Sequence, residues 1–357
     1  MTTLRERPGI RFTNPDESTA PSPAEERWQS RDDVRLLVAR PDGIEHHTFA
    51  DLVDVLTPGD LVVVNNSATV HGEIDAVRGR EPVVLHAATR LDDGTWVVEL
   101  RTAPDASAPV LDAQPGEVIG VGELPVTLLA PLVVEQGRDS RPLSSPTGHG
   151  NRLWRARAEG DLRELLDRHG RPIAYGYLDR RYPLATYQNV FARVPGSAEM
   201  ASAGRPFTEF LLTQLVARGI GVAPITLHTG VSSQEAGEGP QPEWYDVPAA
   251  TARLVELTRE SGGRVVATGT TVTRALESAV RDGRVRESSG WTERVVTPAH
   301  PPVVVDALIT GWHDAGASHL LLVEAVAGTE LGQAAYDAAL AEGYRWHEFG
   351  DSALFLP

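Results

Sequence analysis

The chain has 357 residues, 41% hydrophobic and 23% charged, enough for one large or two ordinary domains with a sizeable core. It has no cysteine, which excludes disulfides, thiolate zinc sites and cysteine-ligated iron–sulfur clusters. With 49 acidic against 33 basic residues its formal charge is −16, which argues against a broad electrostatic footprint for nucleic acid and leaves room only for a local basic patch.

The opening, MTTLRERPGI, lacks an apolar run, so no signal peptide is expected. No stretch approaches the length of a membrane span, and a cytoplasmic enzyme is the expectation. Residues up to about 34 are rich in proline and charge and read as a loosely packed arm. Leu36 to Val38 and Leu61 to Val64 are short buried strands, with a helical stretch around Phe49 to Leu56 between them. From Glu73 to Ala158 the pattern changes. Runs such as Val83–Leu85, Trp96–Leu100 and Val126–Leu129 are separated by Gly, Pro and Asp turns, which suggests a small antiparallel β-barrel. After it, Arg152, Arg155, Arg157, Arg163, Arg168, Arg171, Arg180 and Arg181 crowd together, as a solvated face or a phosphate-binding patch.

Helices and strands then alternate. Thr208 caps a helix to Arg218, closed by Gly219. Ile225 to His228 is a strand, Pro248 opens a helix to about Ser261, Val303 to Ile309 is a buried strand, and Leu331 to Leu340 is another helix. The fold class that follows is α/β: a discontinuous α/β domain (1–72 and 159–357) with an inserted small antiparallel β-barrel domain (73–158).

The most informative stretch is Ser261 to Ser278, SGGRVVATGTTVTRALES. Arg264 to Ala267 is a strand, Gly269, Thr270 and Thr271 a tight turn, and Thr273 to Val280 a helix. A strand feeding a helix N-terminus leaves backbone N–H groups that favour an anion, and Arg274 adds a further donor.

That stretch resembles the G-R-V-I-A-V-G-T-T-S-V-R-T-L-E-S motif of the S-adenosylmethionine:tRNA ribosyltransferase-isomerases of queuosine synthesis. Other segments follow in the family's order. Arg35 to Asn66 looks like its opening segment. Tyr187–Gln188 matches Y-Q, and Gly196 to Thr208, GSAEMASAGRPFT, is a worn G-S-V-A-A-P-T-A-G-L-H-F-T. Leu227–His228 with Gly230 is similar to L-H-V-G, Glu243–Trp244–Tyr245 to E-W-Y, Val305 to His313 to V-D-A-L-I-T-N-F-H, and Phe349–Gly350–Asp351 to F-G-D.

The resemblance implies an enzyme that isomerises the ribosyl part of S-adenosylmethionine and places it on 7-aminomethyl-7-deazaguanine in a tRNA anticodon stem-loop, releasing adenine and methionine. S-adenosylmethionine is then substrate, and no metal is required because the sulfonium acidifies the neighbouring C–H and is itself the leaving group. The chemistry needs a base, a donor for departing adenine and a grip on the methionine carboxylate. His228 or Glu277 are the candidate bases, with His313 near the adenine. Gly269, Thr270, Thr271 and Arg274 are candidates for the carboxylate, Trp312 for stacking on adenine or facing the sulfonium, and Tyr187 and Gln188 for the base pocket. Asp306, inside an apolar strand, must be partnered.

The departures matter as much. N-D-T-R-V-I-P-A-R becomes Asn65 to Glu73, NNSATVHGE, so alanine (Ala68) and glutamate (Glu73) stand where the motif has arginine. L-H-F-T becomes RPFT, H-V-G-x-G-T-F becomes HTGVSSQ, and N-F-H-L-P becomes GWHDA. Losing arginines weakens a grip on phosphate more than one on adenosine. Three readings stay open: the tRNA enzyme, an enzyme that transfers from or cleaves S-adenosylmethionine with a small-molecule acceptor, and a non-catalytic S-adenosylmethionine-binding protein.

Overall fold

The strand Leu61–Asn65, apolar up to Val64, is buried at every position and is an inner strand of a nine-stranded sheet. The computed structural model describes residues 6–14, 18–27, 29–132, 150–231, 239–292 and 294–357. A strand apolar on both faces must be covered on both. Leu61 and Val63 face the helices Ala249–Glu260 and Thr270–Ser278. Val62 and Val64 face Phe49, Leu52 and the helix Glu209–Ala217.

Leu61–Asn65 pairs in parallel with Gly221–Leu227 on one side and Val265–Thr268 on the other. Val265–Thr268 pairs in parallel with Ala307–Gly311. The sheet continues through Ser352–Phe355, antiparallel to Ala307–Gly311, then Arg35–Arg40 and Gly43–Thr48. Trp244–Val247 and Ser288–Trp291 complete the other flank.

The turn-punctuated stretch forms a closed barrel of six antiparallel strands, Glu73–Arg78, Glu81–Arg90, Trp96–Thr102, Val118–Val121, Leu124–Pro131 and Leu153–Ala158, around its own apolar core. Several local expectations shift. The strand expected over 303–309 is Ala307–Gly311, because the backbone of 303–305 donates its N–H groups to Glu277 instead of a neighbouring strand. The helix expected from Thr273 starts at Thr270, with Gly269 at φ 91° as its first cap, a conformation costly for any side chain. Pro248 precedes the helix Ala249–Glu260 as its cap residue. The described N-terminal residues are packed: Ile10 is 1% exposed with its N–H on Glu324, and Phe12 stacks on Tyr336 at 4.9 Å.

Where the chain enters and leaves the barrel, the two crossings are tied together. The N–H groups of Gly72 and Glu73 donate to the Arg171 carbonyl, and Arg171 N–H returns a bond to the Glu73 carbonyl. The Glu73 carboxylate, fully buried, accepts from Arg171 Nε at 2.6 Å, pairs with Arg181 at 2.6 Å and meets His86 at 3.2 Å. His86 lies 3.4 Å from Glu99 on its other side, and Glu99 holds Arg101 and Arg152. Burial pushes Glu99 up, but Arg152, His86 and Arg101 outweigh it and hold it at about 2. Burial likewise opposes the ionised form of Glu73, yet His86, Arg181 and Arg171 keep its carboxyl below the usual range.

Both carboxylates therefore bind protons less readily folded than unfolded. Their contribution is fully present above the ordinary carboxylate range and is lost as pH falls toward the folded values. His86, raised by its two glutamates against burial, is protonated throughout that window and adds no slope. Urea unfolding from about pH 5 downward should show a steep loss of stability, and Glu99→Gln should flatten it. An unchanged slope in that variant would remove the network as its source.

Candidate active site

The parallel strands Leu61–Asn65, Gly221–Leu227, Val265–Thr268 and Ala307–Gly311 end at one edge of the sheet, where open α/β sheets place their ligand sites. Asn65 stitches two of these ends. Its Oδ1 accepts from the N–H groups of Leu227 and Ser67, and its Nδ2 donates to the Leu227 carbonyl at 2.8 Å. A cavity of about 550 Å³ lies over this edge, reaching Arg101 and Ser107 of the barrel side.

Gly269, Thr270 and Thr271 line it, so the uncapped first turn of the helix Thr270–Ser278 opens toward the cavity. Arg274 also lines it, but its terminal nitrogens are already committed. One pairs closely with Glu243; the other donates to the Gln241 carbonyl at 2.5 Å and to Thr292 at 2.8 Å. Only its buried Nε has no partner among the described residues. Burial raises Glu243, and the Arg274 guanidinium pulls it back only in part.

Trp312 and His313 form part of the wall beyond Thr310. Trp312 is 2% exposed, packed edge-on to Tyr336 at 4.9 Å, and its indole N–H has no acceptor among the described residues. His313 stacks face to face on His319 at 4.6 Å and shares a 3.1 Å hydrogen bond with Thr310. Burial holds its imidazole neutral, far below the usual histidine range, and burial also pulls His319 down to about 4. Tyr187 lines the cavity with a hydroxyl that lacks a partner among the described residues.

Four sequence candidates lie outside this wall. His228, just past its strand, does not line the cavity and stacks on Trp244 at 5.2 Å. Its Nδ1 meets Ser67 at 2.8 Å, and Gly196 leaves it room, since a Cβ there would fall 2.5 Å from the ring. Gln188 clamps the backbone of Thr69 through both amide atoms. Glu277 is buried, accepting from Val303, Val304 and Val305 and pairing with Arg294 at 3.0 Å. Asp306 precedes its strand at the end remote from the cavity, is exposed, and accepts from Val265 N–H at 2.8 Å.

The fold also brings in residues the sequence did not single out: Tyr175, Tyr177, Glu199, His319, His347 and Glu348. Tyr175 donates to Glu199 and Tyr177 to Glu348, both in short hydrogen bonds. Tyr177 stacks on His347 at 4.7 Å and 13°. The only advance signal for the last pair was their place directly before Phe349–Gly350–Asp351.

The arginine cluster is no open patch. Arg152 is buried on Glu99, Arg171 and Arg181 hold Glu73, Arg155 pairs with Asp93, Arg163 with Asp167, Arg168 with Glu164 and Arg180 with Glu26. Arg157 alone among them shows no ion pair with a described residue. Among the described residues no group of three or more His, Cys, Asp or Glu is placed to hold a metal ion. No helix there is long and apolar enough to cross a membrane.

A nine-stranded sheet covered on both faces, whose strand ends frame a cavity, with a six-stranded barrel inserted beside it, defines an α/β enzyme scaffold. The chain belongs to the queuosine biosynthesis protein family, which matches residues 9–355. It is 36% identical over 356 residues, 96% of this chain and 97% of the relative, to the S-adenosylmethionine:tRNA ribosyltransferase-isomerase of Symbiobacterium thermophilum. It is 35% identical over 353 residues, 95% of this chain and 96% of the relative, to that of Acidiphilium cryptum. The crystal structure of the S-adenosylmethionine tRNA ribosyltransferase of Thermotoga maritima covers 97% of this chain and 99% of its own at 28% identity, with a TM-score of 0.53.

The two helix-borne charges should separate on mutation. Glu277→Gln should lower stability by about 2–4 kcal/mol, the scale for disturbing a buried hydrogen-bonded charge, with little change in ligand affinity. Arg274→Ala strips Glu243 of its cation in the cavity wall and should lower both. Urea unfolding with calorimetric titration of S-adenosylmethionine checks the pair. Equal loss of affinity in both variants would place Glu277 at the ligand.

Proposed function

We propose that this chain transfers and isomerises the ribosyl moiety of S-adenosylmethionine onto 7-aminomethyl-7-deazaguanine in tRNA, releasing adenine and methionine. The observation that carries this reading is that the retained G-T-T turn, Arg274, Tyr187 and the Trp312–His313 pair, far apart in sequence, line one cavity at the strand ends. A full-length family match supports the same reading.

The first-turn N–H groups at Thr270–Thr271 suit the methionine carboxylate, with Arg274 Nε as a further donor. Trp312 offers an aromatic face, and His313, neutral by burial, is the cavity group suited to exchange a proton at the adenosyl end. His228 and Gln188 act as supports: His228 braces the Ser67–Ser197 pair, and Gln188 the backbone at Thr69. The acceptor reaches the site as part of an anticodon stem-loop. With the basic cluster mostly neutralised by its own carboxylates, tRNA binding should be weaker and less salt-steep than an open basic patch would give.

The test is mass spectrometry of products from S-adenosylmethionine with tRNA carrying 7-aminomethyl-7-deazaguanine. The expected outcome is modified tRNA with equimolar adenine and methionine. His313→Ala should slow it roughly a hundredfold or more, and His228→Ala far less. Adenine release with no change in the tRNA would point to a small-molecule acceptor or simple cleavage.

A further inference from the structure

Two tyrosine–carboxyl pairs face the same cavity and have no part in holding S-adenosylmethionine as described above. Tyr175 donates to Glu199 and Tyr177 to Glu348. The two rings stack at 6.0 Å, and Tyr177 continues the stack onto His347 at 4.7 Å. His347 adopts φ 68°, a backbone conformation unfavourable for a residue with a side chain, and such outliers cluster at functional sites. Glu199 occupies the position of an alanine in the motif that Gly196–Thr208 resembles. Trp312 lines the same cavity with an indole N–H that no described residue accepts.

We propose that Glu348, held by Tyr177, is the base that removes a proton from the primary ammonium of the acceptor, and that Glu199, held by Tyr175, positions that ammonium. This rests on the reading of the cavity given above and adds the acceptor half of the site. A flat heteroaromatic ring fits against the Tyr177–His347 stack, and its aminomethyl arm meets the carboxyls. In the step itself one proton passes from the ammonium nitrogen to a Glu348 oxygen. The lone pair so freed forms the C–N bond to the ribosyl carbon that carried adenine, while the bond from that carbon to the adenine nitrogen breaks and its electron pair leaves with adenine; the proton still on the new nitrogen passes through solvent to the departing adenine.

The surroundings of Glu348 suit the task. Burial, above all, with Glu199 nearby, pushes it up to about 7 against the Tyr177 hydroxyl, its own backbone and Arg205, which pull it down. Tyr187 and His347 are the other titratable neighbours: Tyr187 is raised by burial and by Glu348, and His347 is lowered by burial against the pull of Asp314. A base poised near the working pH transfers protons most effectively.

The test needs no turnover. Free 7-aminomethyl-7-deazaguanine is titrated into the enzyme by calorimetry at about pH 7 in two buffers of different ionisation heat. A bound ammonium lowers the Glu348 pKa, so wild type should release about half a proton per site. Glu348→Gln should release none, and 7-methyl-7-deazaguanine, lacking the ammonium, should release none from either protein. In turnover, Glu348→Gln should lose about a hundredfold in kcat/KM for tRNA at neutral pH and regain much of it as solvent deprotonates the amine at alkaline pH. Glu199→Gln should raise KM more than it lowers kcat.

Tyr177→Phe keeps the ring and removes the donor that lowers Glu348. Its acidic rate limb should move to higher pH. Wild-type proton release and pH profile retained in Glu348→Gln, or no binding of the free base by wild type, overturns the assignment. Normal binding with proton release but no tRNA product overturns the tRNA reading and upholds this one.

Discussion

Burial of the Glu73 carboxylate is the constraint on which the rest of the arrangement depends. It sits where the chain leaves the α/β sheet for the barrel, and its partners Arg171 and Arg181 sit where the chain has come back. A fully buried carboxylate must have its charge answered, and here both crossings of the neck answer it. Through His86 and Glu99 the same charges reach Arg101 and Arg152 inside the barrel side. The barrel is thereby fixed against the sheet edge, and the cavity is the space left between them.

That cavity combines two electrostatic regimes. On the sheet side lie the first turn of Thr270–Ser278 and the half-committed Arg274, which favour an anion. On the other side lie Glu199 and Glu348, which favour a cation. S-adenosylmethionine carries a carboxylate and a sulfonium, and an aminomethyl acceptor carries an ammonium, so a cavity polarised in this way suits both substrates at once. Burial raises Glu243 and Glu348 and lowers His313 and His319, keeping several groups near or across neutrality in charge.

The same chemistry explains why most of the arginines between Arg152 and Arg181 are paired with carboxylates among the described residues. Arginines crowded in sequence between Arg152 and Arg181 separate in space onto carboxylates of the barrel, the neck and the N-terminal segment. A local excess of arginine in a chain of net charge −16 is more readily absorbed by its own acids than left to solvent.

The sheet strands at Leu36, Leu61, Ile225 and Val265, the capped helix after Thr208, the turn-punctuated barrel strands and the G-T-T turn were legible in the sequence, because each is a local pattern: an apolar run, a capping hydroxyl, turns at regular spacing, a tight glycine turn. That Arg274, Trp312 and His313 would lie together at the strand ends was legible for the same reason, each following a recognisable strand or turn. Which way a side chain points was not. Glu277 shares a helix with Arg274, yet it turns to the backbone of 303–305, because three N–H groups left free by an irregular segment needed an acceptor. His228 and Thr229 are neighbours just past the strand end, yet only Thr229 lines the cavity, while His228 stacks on Trp244. Tyr175, Tyr177, Glu199, His347 and Glu348 come from three separate loops, and no periodicity joins them. Their meeting was decided by tertiary packing alone, since only the docking of the barrel neck against the strand ends brings those loops within hydrogen-bonding distance.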